Sequence, residues 1–397
     1  MPNKIIDKDF SDDLSFMYGI LIATGACVAI LVSVIRLRRK NIPVLDIINV
    51  IYISVPIAFF GASLIGKLDT GKQDSWHIWE YFYFWDPGMS IFGGMICGFG
   101  SAFIFLQKKG RVNKISVLVY ADCILPNVLL AQSIGRWGNL FNHEILGKST
   151  NIENWKWLPK FIWSRFFYIS NPATGKRYDV VEYRVPLCLV ESILTLTLFF
   201  IIIFIVPLLF NLISSKPWNV DKKAFPIKKY AIKKEELKFV QTQLAIDEIK
   251  YNGKVYYSRK NAWRKAYYWY EPNAIEVSDA QKEYDKIKNV LASKGKSKWK
   301  SIWMSNSKKM YNLNNTGNYT IMHCGVQGSL YFIGYVLIRI ILDFSERSEY
   351  EMTIRNIPGN ALFLVVMLIL SISFLVIVQF IAPYKWREAE WLYEKSY

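Results

Sequence analysis

Several absences narrow the reading of this 397-residue chain before any motif is considered. The five cysteines, Cys27, Cys97, Cys123, Cys188 and Cys324, form no CxxC pair and no metal-ligand spacing, so they read as apolar filler and no metal is expected. The first fourteen residues carry Asp7, Asp9, Asp12 and Asp13 ahead of the first apolar run. They lack the positive n-region of a cleaved signal peptide, so the first apolar segment is expected to be retained. No internal repeat is visible, which argues against an inverted-repeat transporter. Acidic residues are outnumbered 32 to 49 by Lys and Arg, giving a net charge of +17. Such a balance suits nucleic acid in a soluble protein, but here the basic residues fall between long apolar runs, and no specific nucleic-acid partner is expected.

What is present is hydrophobic: 52% of the residues are apolar and 16% aromatic. Windows such as Leu187 to Ile213 and Ala361 to Ala382 are almost free of charge, and about twenty such residues cross roughly 30 Å of hydrocarbon as a helix. Seven spans are expected, at about 16 to 35, 45 to 65, 88 to 107, 115 to 134, 186 to 212, 326 to 344 and 359 to 383. The fold class is therefore an all-α polytopic membrane protein in a lipid bilayer. Arg36, Arg38, Arg39 and Lys40 follow the first span, Lys108, Lys109, Arg111 and Lys114 the third, a lysine-rich stretch the fifth, and Lys385 with Arg387 the seventh. By the positive-inside rule the chain starts outside and ends in the cytoplasm. The loop 148–185 dissents, with seven basic residues on the predicted outer side.

Three parts follow: a membrane part with five spans (1–214), a basic cytoplasmic insertion (215–322), and a final part with two spans (323–397). The insertion holds roughly half of the chain's Lys and Arg, with helical candidates around 231–250 and 279–300. Its basic and aromatic segment from Tyr256 to Trp269 reads as a solvated inner-face loop, or as a contact for an anionic membrane surface or a protein.

Charged residues inside membrane helices cost on the order of 2.5 to 3.5 kcal/mol on insertion scales, so they are paired, hydrated or useful. Here they fall in three segments. The fourth span holds Asp122 and Pro126, then runs into Gly135, Arg136, Trp137, Gly138, Asn139, Leu140, Phe141, Asn142, His143, Glu144, Ile145, Leu146 and Gly147. Arg136 offers a planar, permanent cation suited to phosphate, although an isolated interfacial Arg needs no such role. The sixth span has Arg339 and Asp343 four residues apart, with Tyr331 and Tyr335 on nearby turns; this pattern serves either a site or a self-neutralising ion pair. Glu191 follows Pro186 at the start of the fifth span, either as a solvent-reaching acid favoured by the helix dipole or as a site residue.

The run GRWGNLFNHEILG, residues 135–147, resembles the signature of the prolipoprotein diacylglyceryl transferases. Further matches are Asp122 and Pro126 with Arg136 ten residues beyond, Pro186 with Glu191, and Tyr335 with Arg339 and an acid at 343. Tyr18 with Gly19 and the run GMSIFGG at 88–94 are similar to the family as well. The chain departs from the family at Phe92, where most members have His, at Asp343 in place of Glu, at Glu346 with the arginine displaced to Arg347, at Ser63 in place of Arg, and in the insertion.

The resemblance implies transfer of a diacylglyceryl group from phosphatidylglycerol to the lipobox cysteine of preprolipoproteins in a bacterial cell membrane, with no cofactor. It implies that Arg136 and Arg339 bind the phosphate and stabilise its departure, with Glu144, Glu191 and Asp343 orienting them. Asn139, Asn142, Tyr18 and Tyr335 would complete the pocket, and Gly147 closes the motif. His143 stands either as the thiol's proton acceptor or as a spacer residue. Two other readings use the same residues: a transporter or channel with a charged pathway, and an inactive relative acting as a binding scaffold.

Overall fold

A computed structural model describes residues 16–69, 91–142, 145–170, 180–216, 249–251, 254–256, 274–294, 297–344 and 359–397. The long apolar runs form helices α1 (Phe16–Arg39), α2 (Val44–Asp69), α3 (Ile91–Asn113) and α4 (Val117–Phe141). A short helix α5 (Lys160–Trp163) and the hairpin β1 (Phe167–Ser170) with β2 (Val180–Tyr183) follow. The next apolar run is α6 (Leu187–Phe200), a π-helical turn at Ile201–Ile205, and α7 (Val206–Ile213). Beyond it come β3 (Ile249–Tyr251), β4 (Lys254–Tyr256), α8 (Ala274–Ser293), α9 (Lys298–Met304), α10 (Lys308–Asn314) and α11 (Val326–Phe344). The last run is α12 (Gly359–Val376), a second π-helical turn at Ile377–Ile381, and α13 (Ala382–Lys385).

Helices thus stand at all seven expected places. Among the described residues five are long and apolar enough to cross a membrane, Phe16–Arg39, Val44–Lys67, Val117–Phe141, Leu187–Ile213 and Leu362–Lys385, and Val326–Leu342 is a shorter apolar helix. The membrane body is helical as expected, and the two antiparallel hairpins, β1 with β2 and β3 with β4, lie outside it. Of the helical candidates in the insertion, 279–300 falls on α8 and α9, with 295–296 outside the described residues. The candidate 231–250 falls almost wholly outside them, as does the basic and aromatic segment after Tyr256.

Local sequence explains how the first helix stops. Arg36, Arg38 and Arg39 occupy the last turn of α1, where cations suit the carbonyl end of the dipole. Asn41 then takes a left-handed φ of 56°, while the amides of Asn41 and Ile42 donate to the carbonyls of Arg38 and Leu37 at 3.1 and 3.0 Å. Asn tolerates that conformation, and the two bonds satisfy carbonyls the helix itself leaves open.

The described residues fall into two compact units. The first takes in the chain up to Asn113, with Tyr120–Ile203 and Gln327–Ser373. Within it α2 and α3 meet along small residues: a Cβ on Gly98 would stand 2.9 Å from the Cβ of Ala58. Lipid tails are as apolar as Leu, so close backbone packing of this kind is what holds membrane helices together. Leu129 on α4, Phe199 on α6 and Tyr331 on α11 form a buried cluster, with Ile202 of the π turn beside them.

A polar layer crosses the same bundle. Arg36 donates to Asn127 Oδ1 at 3.4 Å and to Gln327 Oε1, while Asn127 Nδ2 donates to Ser33 Oγ at 2.8 Å. The Asp122 carboxylate accepts from the Gly328 amide at 2.8 Å. Sequence reading placed Arg36 only in a basic cluster at the membrane surface; in the fold it is an internal donor.

The second unit comprises Lys114–Val119, Phe204–Val326 and Phe374–Tyr397. Its helix α8 buries Ala280, Tyr284 and Leu291. The C-terminal tail folds back so that Leu392 exchanges backbone hydrogen bonds with Lys114 and Ser116 at 2.8 and 2.9 Å. Arg387 and Glu394 form a buried ion pair at 2.8 Å, with the guanidinium 4.2 Å from the centre of the Tyr393 ring. Burial opposes the ionised Glu394, but Arg387 outweighs it and holds this carboxyl at about 2.

Candidate active site

The site is built where α4, α6 and α11 of the first unit face one another. Two serines set the register between α4 and α6. Ser133 Oγ donates to the Ser192 carbonyl at 2.9 Å and Ser192 Oγ to the Ser133 carbonyl at 2.8 Å, with the two hydroxyls 3.0 Å apart. Both are buried. Thr195 Oγ1 donates to the Glu191 carbonyl at 2.8 Å, one turn back along α6.

Arg136 lies one turn beyond Ser133 on α4, and Glu191 directly precedes Ser192 on α6, so the clasp brings them together. Arg136 Nη2 donates to Glu191 Oε1 at 2.8 Å, and Arg339 Nη1 on α11 lies 3.6 Å from that same oxygen. The Glu191 side chain is 0% exposed, while the two arginines keep 20% and 23%. One buried carboxylate therefore gathers two permanent cations from different helices. Glu191 is no solvent-reaching acid at a helix start. Among the described side chains of this constellation two positive charges meet one negative, which leaves a field suited to an anion.

The other expected residues take these places. Asn139, buried, accepts from Arg136 Nη1 through Oδ1 at 3.5 Å. Asn142 closes α4, its amide donating to the Gly138 carbonyl at 3.2 Å. The Tyr335 phenol neighbours the Arg136 guanidinium, and its ring stacks on Tyr331 with centroids 6.2 Å apart and planes within 6°. Tyr331 in turn accepts from Gln132 Nε2 at 3.3 Å. Tyr18 of α1 runs so close to α4 that a Cβ on Gly138 would come within 3.2 Å of the Tyr18 Cα. Only glycine leaves that approach open.

Gly147 ties the end of the motif to the start of α6. Its amide donates to the Val185 carbonyl at 2.8 Å, and the Val185 and Cys188 amides return bonds to Lys148 and Ile145 at 3.0 and 3.2 Å. Ile145 sits at a left-handed φ of 57°, a costly conformation for a β-branched residue. The loop beyond packs Ile162 and Phe166 against Leu140 at the end of α4, and Arg165 places its guanidinium 5.0 Å from the centre of the Phe141 ring.

His143 and Glu144 lie outside the described residues, and the side chains of Asp343 and Phe92 are not described either. The expected Arg339 to Asp343 pairing therefore lies outside the described side chains; the ion pair described for Arg339 is with Glu191. Sequence reasoning did not single out Ser133, Ser192, Thr195 or Gln132. Hydroxyls beside Arg136 and Glu191 inside otherwise apolar helices were the signal for the first three.

A family model described as prolipoprotein diacylglyceryl transferase matches residues 15–216, just over half of the chain. A protein of Streptococcus equi subsp. zooepidemicus named phosphatidylglycerol–prolipoprotein diacylglyceryl transferase is 33% identical over 185 residues, 47% of this chain. One of Streptococcus pneumoniae with that name is 32% identical over 186 residues, also 47% of the chain. The chain spans 65% and 64% of the lengths of these two relatives.

Proposed function

Because the chain belongs to the prolipoprotein diacylglyceryl transferase family, we propose that it transfers the diacylglyceryl group of phosphatidylglycerol to the lipobox cysteine of preprolipoproteins. The observation that carries this reading is the convergence of Arg136 and Arg339 on Glu191 inside an apolar bundle. An anionic phospholipid brings one phosphodiester charge into that field.

The step balances without a redox partner. The sulfur of the substrate thiol attacks the terminal glyceryl carbon of the diacylglycerol moiety. A C–S bond forms, the bond from that carbon to the phosphate ester oxygen breaks, and its electron pair leaves on that oxygen as glycerol phosphate. The attacking atom belongs to the protein substrate, so the chain needs no nucleophile of its own. Charge grows on the departing phosphate, and cations fixed beforehand stabilise that developing charge more than the ground state. Glu191 holds both guanidinium groups while each keeps part of its surface exposed. Asn139 orients Arg136, and Tyr18, Asn142, Gly147 and Tyr335 shape the pocket around it. The thiol's proton needs an acceptor other than an imidazole at position 92, which is Phe. His143 is the candidate the sequence supplies within the motif, and Glu144 and Asp343 serve to orient the arginines.

The same reading gives all seven apolar helices as crossings of a bacterial plasma membrane. The amino terminus and 148–185 then lie outside, and 215–322 and the carboxyl terminus lie in the cytoplasm, which four basic clusters support while the seven basic residues of 148–185 run against it. The decisive assay gives detergent-solubilised protein labelled phosphatidylglycerol and a lipobox peptide. A thioether-linked diacylglyceryl peptide is the expected product. Binding of lipid and peptide without turnover would turn the reading to an inactive scaffold, and flux of an ion or lipid without chemistry would turn it to a transporter.

A further inference from the structure

The second unit carries an apolar patch that the transferase reading does not use. At the carboxyl end of α9, Ile302, Trp303 and Met304 expose 42%, 42% and 43% of their surface in succession. Consecutive large side chains of this kind are normally covered. Their position is fixed. Trp386 Nε1 donates to the Ile302 carbonyl at 2.6 Å, and the Trp303 and Trp386 rings meet edge to face with centroids 5.1 Å apart. Ser305 Oγ donates to the Lys385 carbonyl at 3.1 Å, and the Ser307 amide to the Tyr384 carbonyl at 2.8 Å. The segment is thus fastened to 384–386, the residues that end the membrane helix Leu362–Lys385.

That position decides what covers the patch. Phe380 and Tyr384, one turn apart on the same helix, are exposed as lipid-facing residues of a membrane span are. Trp386 follows at the level where tryptophan collects at membrane interfaces. Through the Trp303 contact with Trp386 the patch on α9 lies beside the end of that helix. Charge points the same way. From Lys286 to Leu342 the sequence contains no Asp or Glu, and eight lysines fall between 286 and 309. A short helix with apolar residues beside lysines is the composition that lies in the headgroup plane of an anionic membrane.

We propose that α9 is a membrane-surface anchor, with Ile302, Trp303 and Met304 seated among the lipids at the end of the last span and the surrounding lysines drawing anionic phospholipid. The insertion is then held on the bilayer as well as on the chain. This inference is independent of the transferase reading; it needs only the membrane placement of the last helix.

The test uses the full chain with a photo-crosslinker, Met304→p-benzoyl-L-phenylalanine, reconstituted in nanodiscs of phosphatidylcholine with phosphatidylglycerol. The same probe at Phe380 is the lipid-facing control. Irradiation and mass spectrometry should find phospholipid joined to residue 304. Lys300→Gln in the mixed discs should lower the yield about fivefold, as expected for one lysine near an anionic surface, and nanodiscs of phosphatidylcholine alone should lower it at least as far. Peptide adducts at 304 without lipid would assign the patch to a protein partner or a second copy and overturn the proposal. So would no adduct at 304 where Phe380 reports lipid, or equal yields with and without phosphatidylglycerol.

Discussion

Ser133 and Ser192 each donate a hydroxyl to the other's backbone carbonyl, at 2.9 and 2.8 Å, and this exchange fixes which residues of α4 and α6 meet. Removing one hydroxyl leaves the other helix's carbonyl with a lost partner in a dry setting. Ser133→Ala and Ser192→Ala are each expected to cost about 1 kcal/mol, and the double variant less than the sum, because one clasp is lost in all three. Denaturant titration in mixed micelles measures this. Additive losses would show that the two serines act separately.

Glu191 is the sole described carboxylate shared by Arg136 and Arg339, so its loss leaves two cations facing each other. Glu191→Gln should destabilise the protein by about 3 kcal/mol, in the range for breaking a buried pair. Adding Arg136→Gln should then cost little further. An unchanged unfolding midpoint in Glu191→Gln would mean that water or another acid already balances the arginines.

Arg136 is the sharpest functional test. Arg136→Ala should lower turnover about a hundredfold or more, by analogy with losing a donor to a developing oxyanion. Arg136→Lys keeps the charge but loses the planar fork, and should recover only part of the rate. Near-normal transfer to a lipobox peptide by Arg136→Ala, at normal membrane levels, would reduce Arg136 to an interfacial anchor.

The α2 to α3 seam predicts opposite outcomes for two nearby glycines. Gly98→Ala must push against Ala58 at 2.9 Å, whereas a Cβ on Gly100 meets nothing within 4 Å. The first should cost about 1 to 3 kcal/mol, and the second should be neutral or stabilising by up to about 1 kcal/mol, since alanine restricts the unfolded chain. Equal effects would mean that the helices slide apart at no cost.

The tail predicts acid lability. Glu394 titrates at about 2 in the folded protein against an ordinary value of 4.5. Its ionised form therefore stabilises the fold above 4.5, and that contribution is lost as pH falls from 4.5 toward 2. Hydrogen-exchange protection of 387–397, taken relative to the intrinsic rate at each pH, should fall across this window in the native chain. In Glu394→Gln the protection should already be low and vary little with pH.

The sequence was most legible where the lipid solvent dictates it. Apolar runs placed a helix at each expected position, with starts within three residues and ends up to seven residues short, because length and hydropathy locate a helix better than they locate its end. The site was half legible. Arg136 stood out within a dense polar run, and Arg339 within an apolar one. That both meet Glu191 was legible only as an implication of the family resemblance, which named Glu191 with Glu144 and Asp343; spacing alone is silent on it, because residues 55 and 148 positions apart in the chain are joined only by helix packing. Arg36 was legible only as one of the basic residues at the end of α1, because charge counting locates a helix end and is silent on which side chains turn inward.

The π-helical turns at Ile201–Ile205 and Ile377–Ile381 change what periodicity can mean in this chain. Such a turn holds one residue more than an α-turn, so everything beyond it is rotated by about 100° relative to what came before. The turn also loosens the carbonyl ladder, and Gln327 Nε2 donates to Ile202 O at 3.2 Å there. The run 187–213 is thus two helical frames in sequence. The first buries Glu191, Ser192 and Thr195, and the second exposes Leu208, Leu209 and Leu212. Deleting one isoleucine from 201–203 would restore a single frame and turn one half of the rod against its neighbours, although no side chain in contact with the arginines had changed.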